Sequence, residues 1–340
     1  MILFCVDQVA GAEYILPLLR HWREQGKVDW HVCAGARSAP ILKVAGIAVT
    51  ELADTSPDSQ IERLVADLEP RLVLMSASTV SAIEAGFRRH LRKAGVRCVQ
   101  FIDMWVNYAA RFRDVGGLPD LPDQFLTLDA HARQAMIGEG LPAERIVVIG
   151  QPYFEDRLRA ATSVNETIRP TGHTLLVTQP VSRHLGKSLG YDETDFVEGA
   201  LQAWRQADRD WRQLHLIVHP DEDRQVYRKK LASYSTDIRI VDNADLNLSR
   251  YSLMVGMYSS LMIHAMLSCV NVISFQPDAS GPDACHLSSQ GLIQRLTNIE
   301  QLVHFLAHAP ANQEPIPAAT AAFVAAIQGS CERLEHFLLT

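Results

Sequence analysis

Short apolar runs rich in β-branched residues alternate along the chain with longer stretches in which apolar positions recur at helical spacing. MILFCV (1–6) leads into a helical pattern from Ala12 to about Gln25, and VDWHVCAG (28–35) into a short helix before Gly46. GIAVTEL (46–52), a helix around 58–68, RLVLMSA (71–77), a helix over 80–94 and VRCVQFID (96–103) keep the same beat. FLTLD (125–129), the helix AHARQAMIGEG and RIVVIGQP (145–152) continue it. From about Glu155 to Gly172 the chain is polar and has no strand pattern, which predicts a crossing between domains. The series restarts with TLLVTQP (174–180), a helix from about Glu193 to Gln206, LHLIVHP (214–220) and a helix near 223–233. IRIVDN (238–243), SLMVGM (252–257), a helix from Ser260 to Ser268 and NVISFQPD (271–278) follow, and helical patterns at 299–308 and 318–338 close the chain. Strands alternating with helices predict parallel sheets covered on both faces, here two doubly wound, Rossmann-like domains facing across a cleft.

The length agrees with that division, since 340 residues correspond to roughly two domains of about 150. The 39 acidic residues outnumber the 32 basic ones, leaving a net charge of −7 and no global field for a polyanion, so no nucleic-acid partner is expected. Cys5, Cys33, Cys98, Cys269, Cys285 and Cys331 form no C-x-x-C pair and sit largely in apolar runs. They are expected as small buried hydrophobes in a reducing compartment. The chain opens on a strand-like run that meets Asp7 at once, and no apolar run approaches about 18 residues, so a cytoplasmic protein is expected.

Ligands of doubly wound sheets lie beyond the carboxyl ends of strands, where five segments carry candidate chemistry. Asp7 to Glu13 follows the first strand, with Gly11 allowing close approach of a ligand or simply a tight turn capped by Asp7. After VRCVQFI come Asp103, Trp105, Asn107, Tyr108 and Arg111, which either position an acceptor hydroxyl beside a base or seal the domain edge while Asp103 pairs with Arg111. Gln179 to Glu193 includes Pro180, Ser182, His184, Gly186, Lys187 and Ser188; it suits phosphate without being a Walker loop, and reads otherwise as a solvated loop. His219, fixed by Pro220, is a cleft donor to a nucleotide or else a core histidine. Tyr258, Ser259 and Ser260 end a strand and open a helix, an anion site or a plain cap. The basic run Arg88, Arg89, His90, Arg92, Lys93 and Arg97 is a solvated face or a peripheral contact with an anionic membrane. The 13 histidines are dispersed, H-E-x-x-H does not occur and no Asp-x-Asp arrangement of the kind metal-dependent sugar transferases use stands out, so metal-independent chemistry without a bound cofactor is expected.

A strand ending in His219-Pro220 and a later one ending in Tyr258-Ser259-Ser260 before a helix resemble the nucleotide-binding half of bacterial GT-B glycosyltransferases. The likeness is strongest to the CMP-sugar-dependent sialyl- and polysialyltransferases and the CDP-glycerol glycerophosphotransferases. GEGLPAERIVVIGQPYFE, at the end of the first half, is similar to the acceptor-domain ending of GT-B enzymes and of UDP-N-acetylglucosamine 2-epimerases. The resemblance implies an acceptor-side domain over 1–154, a donor-binding domain over 173–316 and a tail, 317–340, returning toward the first domain. It assigns contact with the donor nucleotide to His219 and the donor phosphate to Ser259 and Ser260; beside them, placement at strand ends makes Gln179, His184, Lys187, Pro220 and Tyr258 donor-binding candidates and Asp103, ahead of Asp7, the candidate base, with His219 at the departing phosphate. The acidic pair followed by glycine that sialyltransferases carry is absent from the first half. The expected activity is transfer of a sugar from a nucleotide donor, CMP- or CDP-linked in preference to UDP-linked, to a glycan or lipid-linked hydroxyl acceptor in surface-glycan assembly. The alternatives are a UDP-N-acetylglucosamine 2-epimerase-like epimerase or hydrolase, and a non-catalytic nucleotide-sugar-binding protein.

Overall fold

The computed structural model describes residues 1–26, 28–53, 58–79, 81–112, 121–164, 172–186, 188–268, 270–281, 283–308 and 318–340. Met1–Asp156 with Ala325–Thr340 forms one compact unit and Arg157–Val324 a second.

Seven parallel strands build the sheet of unit 1: β1 (Ile2–Val6), β2 (Trp30–Gly35), β3 (Thr50–Leu52), β4 (Leu72–Ser76), β5 (Arg97–Phe101), β6 (Gln124–Thr127) and β7 (Ile146–Val148). Their order is β3-β2-β1-β4-β5-β6-β7, so the winding reverses between β1 and β4. All five residues of β1 and of β4 are buried, because helices cover both faces and neither side of the strand meets water. Strand period still sorts them: Ile2, Phe4 and Val6 pack with Trp22 and Leu334 in one cluster, and Leu3 and Cys5 with Ile61, Phe87 and Leu91 in another. Cys33 and Cys98 join Cys5 in that second cluster, and burial pushes the Cys5 and Cys33 thiols up. These cysteines are packing residues; Cys269 lies outside the described residues.

The same order recurs in unit 2 with β8 (His173–Val177), β9 (Leu214–Ile217), β10 (Arg239–Val241), β11 (Tyr251–Gly256), β12 (Asn271–Phe275) and β13 (Gln294–Leu296). Its sheet runs β10-β9-β8-β11-β12-β13, all parallel, with the reversal between β8 and β11. Both units therefore have the Rossmann-like parallel-sheet architecture that the strand–helix alternation predicts. Asp192 starts the helix Glu193–Gln206 with a complete capping box, which fixes where the chain enters it.

Three differences from the expected pattern have local causes. A helix, Pro152–Val164, occupies the start of the polar stretch read as a crossing, and the chain passes from unit 1 to unit 2 within it, between Asp156 and Arg157; its Glu155 carboxylate accepts from the amides of Gly329 (3.0 Å) and Cys331 (2.9 Å). The tail is two helices, Ala318–Ile327 and Ser330–Leu339, because Gly329 takes a left-handed φ of 73° between them. β13 is a three-residue end strand with two polar residues, too short and too polar to leave an apolar run. No helix among the described residues is long and apolar enough to cross a membrane.

Candidate functional site

The winding reversal in unit 1 opens a crevice beyond the ends of β1, β4 and β5, as parallel sheets do where neighbouring connections leave on opposite faces. A cavity of about 190 Å3 lies there, lined by Gln8, Ser76, Ser78, Asp103, Asn107 and Arg111 among others. It is smaller than the roughly 300–1,000 Å3 of sites that enclose a drug-sized ligand. Asp103 and Arg111 meet in it as an ion pair, Oδ1 to Nη1 2.7 Å, with side chains 15% and 9% exposed. Arg111 also donates to the carbonyls of Ala77 and, at 3.2 Å, Val106. Trp105 and Tyr108 are buried, and Trp105 donates to Asp129 at 2.7 Å. The two aromatics thus seal the edge, whereas Asn107, at a left-handed φ of 59°, lines the cavity.

Asp7 is buried just past the end of β1 and accepts from the Gln8 side chain at 3.1 Å; Gln8, not Asp7, stands at the start of the helix Val9–Gln25, and its side chain makes no capping bond. A Cβ on Gly11 would stand 2.9 Å from Ser76 Cβ and Oγ, so this glycine admits the end of β4 and not a ligand. A residue absent from the expected set, Glu84, is fully buried below the same wall. Its carboxylate accepts from Ser76 Oγ and, at 2.6 Å, from the Ser78 amide. Burial pushes it up to about 7, with the Asp7 charge adding and the two hydrogen bonds and Arg88 opposing. Its sequence signal, Ser81-x-x-Glu84, reads as a helix start, and Ser81 Oγ does accept from the Glu84 amide at 3.1 Å. The carboxylate itself serves the preceding strand end.

In unit 2 the corresponding edge joins the ends of β8, β9 and β11. Thr178 Oγ1 accepts from the His219 amide at 3.1 Å and donates to Glu222 at 2.5 Å, while Tyr227 donates to the other Glu222 oxygen. His219 Nδ1 accepts from the Asp221 amide at 3.2 Å, which assigns the ring proton to Nε2 and makes that nitrogen the donor. Pro220 is exposed beside it, and Gln179 and Pro180 continue from β8. Ser259 Oγ accepts from the Leu261 amide at 3.3 Å as the cap of the helix Ser260–Leu267, and Ser260 is exposed at its first turn. Tyr258 is half-buried, its hydroxyl has no hydrogen-bond partner among the described residues, and burial together with Glu193 and Glu222 pushes it up to about 12. His184 belongs to the helix Val181–Leu185, and Lys187 lies outside the described residues. Thr178 escapes sequence reading because it joins segments more than 40 residues apart, to Glu222 and the His219 amide.

The basic run is only partly a solvated face, with Arg92 and Lys93 exposed. Arg88 is buried and donates to Gln100, Arg89 faces Asp58 at 3.5 Å, Arg92 donates to the Leu121 carbonyl, and Arg97 donates to Gln124 and stacks over Phe337.

No family model matches the sequence, and no curated relative matches it either. Solved structures match over its whole length. The UDP-GlcNAc 2-epimerase of Methanocaldococcus jannaschii is 14% identical over 100% of this chain and 99% of that one, with a TM-score of 0.66. The Neisseria meningitidis UDP-GlcNAc 2-epimerase bound to UDP-GlcNAc is 10% identical over 99% of both chains, with a TM-score of 0.65. Anabaena Alr3699/HepE, in complex with UDP and glucose, is 14% identical over 99% of both chains, with a TM-score of 0.64. These likenesses establish the fold. They also correct the expected glycosyltransferase activity and the kinship with sialyl-, polysialyl- and CDP-glycerol transferases, since the likeness runs to UDP-GlcNAc 2-epimerases. The two motifs behind that expectation have structural work in this fold: Ser259 caps a helix and His219 closes the turn to Asp221. The parallel-sheet architecture that carries them is common to both enzyme groups, and a strand end alone does not distinguish their chemistry.

Proposed function

We propose that the protein binds a UDP-linked N-acetylhexosamine and changes the configuration at the sugar carbon next to the anomeric centre, as an epimerase or an epimerase that also releases UDP. The observation that carries this reading is the carboxylate set at the unit 1 crevice, where Asp103 is held against Arg111 at the cavity, Asp7 ends the neighbouring strand and Glu84 lies beneath. Epimerisation removes a proton from carbon and returns one to the opposite face, which calls for acidic groups and not for an acceptor-binding surface. A C–H bond next to an anomeric centre is a weak acid, so its cleavage is coupled to departure of the diphosphate.

In this reading Asp103 is the base, with Asp7 its nearest substitute, and Arg111 keeps Asp103 oriented. The nucleotide is taken by unit 2. His219 Nε2–H and the first amides of the helix opened by Ser259 and Ser260 are donors for the diphosphate, while Gln179, Pro180 and Tyr258 flank them. UDP is preferred to CMP or CDP because UDP is the nucleotide in the ligand-bound structures of this fold. The test is incubation with UDP-N-acetylglucosamine in deuterium oxide, followed by proton NMR. Loss of the C2 proton signal with appearance of the epimer or free UDP is expected; no exchange, no UDP and no binding would overturn the reading.

A further inference from the structure

Three separate segments hold the peptide that leaves β4. Glu84 takes the Ser76 hydroxyl and the Ser78 amide, the Gln100 side chain donates to the Ser76 carbonyl at 2.7 Å, and Arg111 donates to the Ala77 carbonyl. Ser76, Ala77 and Ser78 all line the cavity that Asp103 and Arg111 share. The wall of the site is thus fastened on one side by the ion pair and on the other by a carboxyl group with no exposure to solvent.

We propose that Glu84 is a positioning residue whose proton sets the hydrogen-bonding sense of Ser76 at this cavity. Ionised, Glu84 accepts from both Ser76 Oγ and the Ser78 amide, and the single hydroxyl proton of Ser76 is spent. Protonated, Glu84 donates to Ser76 Oγ through one oxygen and still accepts from Ser78 through the other. The Ser76 proton is then released to a new acceptor, a carbonyl or phosphoryl oxygen of the ligand. The groups around Glu84 keep both states within reach of neutral pH. Asp7, just past β1, disfavours the charge, the buried Cys5 thiol on β1 stays neutral, Arg88 one turn along the same helix favours the charge, and Asp103 is paired with Arg111. On the adjoining helix Asp58–Leu68, Asp58 is turned to Arg89 and His90. Helix capping explains Ser81 but not a carboxyl group buried away from water and aimed at the preceding strand end.

The proposal rests on the nucleotide-sugar reading only for the identity of the ligand, and two measurements separate the two. The first is the amide proton shift of Ser78, followed by NMR in ligand-free protein from about pH 5.5 to about pH 8.5. It should titrate near neutrality in the native protein and stay flat in Glu84→Gln. A flat native curve, or one unchanged in the variant, overturns the proposal. The second is calorimetric affinity for UDP-N-acetylglucosamine over the same range. It should weaken by roughly threefold or more with rising pH and lose that dependence in both Glu84→Gln and Ser76→Ala. A pH-independent native affinity, or a dependence that survives both substitutions, also overturns it. If no nucleotide sugar binds at any pH, the functional reading fails, and the Ser78 titration alone decides the role of Glu84.

Discussion

Asp103 and Arg111, eight residues apart, turn back on one another at the end of β5, and the 2.7 Å bond between them is the junction at which an acidic side chain is fixed in the cavity. Arg111→Ala removes the partner of Asp103 and the donor to the Ala77 carbonyl in one step. Breaking a largely buried pair costs about 3–5 kcal/mol. A urea midpoint lowered accordingly is expected for Arg111→Ala, with Arg111→Lys in between; an unchanged midpoint would show that the pair is solvated.

Asp103→Asn keeps a hydrogen-bonding partner for Arg111 but removes the carboxylate proposed as the base. Exchange of the C2 proton of UDP-N-acetylglucosamine should fall by about 10²- to 10⁴-fold while affinity changes little. Asp7→Asn is the comparison: native exchange in Asp103→Asn and collapse in Asp7→Asn would move the role to β1.

Glu84 makes stability depend on pH in an unusual direction. Its carboxyl is held at about 7 in the fold against 4.5 for a free glutamate, so the folded state binds the proton more tightly. Stability from this group is greatest below 4.5 and declines as pH rises to about 7, by about 3 kcal/mol in all. Glu84→Gln has no such term. Melting curves should show the variant gaining on the native protein as pH rises through that window, and a constant difference would sink the assignment.

His215 acts with the opposite sign. Buried beside His173 and near Arg239 and Arg250, with Nδ1 3.0 Å from the Tyr251 hydroxyl, it is lowered to about 4, chiefly by loss of water. It is held neutral, so its contribution is complete above 6.5 and is lost as pH falls to about 4, roughly 2 to 3 kcal/mol at most. In His215→Gln the acid-side loss should shrink, leaving the Glu84 trend more visible between 4.5 and 6.5. Identical acid melting profiles for variant and native protein would contradict this.

Gly11→Ala places a methyl group 2.9 Å from Ser76 Cβ and Oγ and 3.3 Å from Val6 Cβ. The wall of β4 must move to admit it. About 1–3 kcal/mol of destabilisation is expected from such overpacking, together with weaker ligand binding, read by thermal shift with and without UDP-N-acetylglucosamine. Full stability with unchanged binding would mean that the helix Val9–Gln25 shifts freely.

The strands buried on both faces were the most legible part of the chain, since β1, β4, β8 and β11 leave apolar runs that few other structures produce. Asp7, Asp103 and His219 were legible as polar residues just past such runs, because topology alone sends strand ends to the ligand edge. Glu84 was not: a serine three residues before a glutamate at the start of a helix has a sufficient local explanation, and only the third dimension shows the carboxylate turned toward Ser76 and Ser78. The activity was misread for a related reason. A histidine–proline strand end and a serine-opened helix are features of backbone geometry that do not distinguish transferases from epimerases.

The docking of Ser330–Leu339 in unit 1, where Glu335 receives the Trp22 indole N–H at 2.7 Å and Leu334 and Leu338 enter the core, bears on how the protein is made. Ribosomes add about 5–20 residues per second, so synthesis of the intervening unit separates most of unit 1 from its final helix by roughly 10 to 30 s. During that interval the nascent first unit exposes the apolar seat around Trp22 and Leu19, while unit 2 has all its strands in hand. The order of completion therefore inverts the order of synthesis, and nascent-chain aggregation or chaperone capture should centre on the seat that the last helix closes.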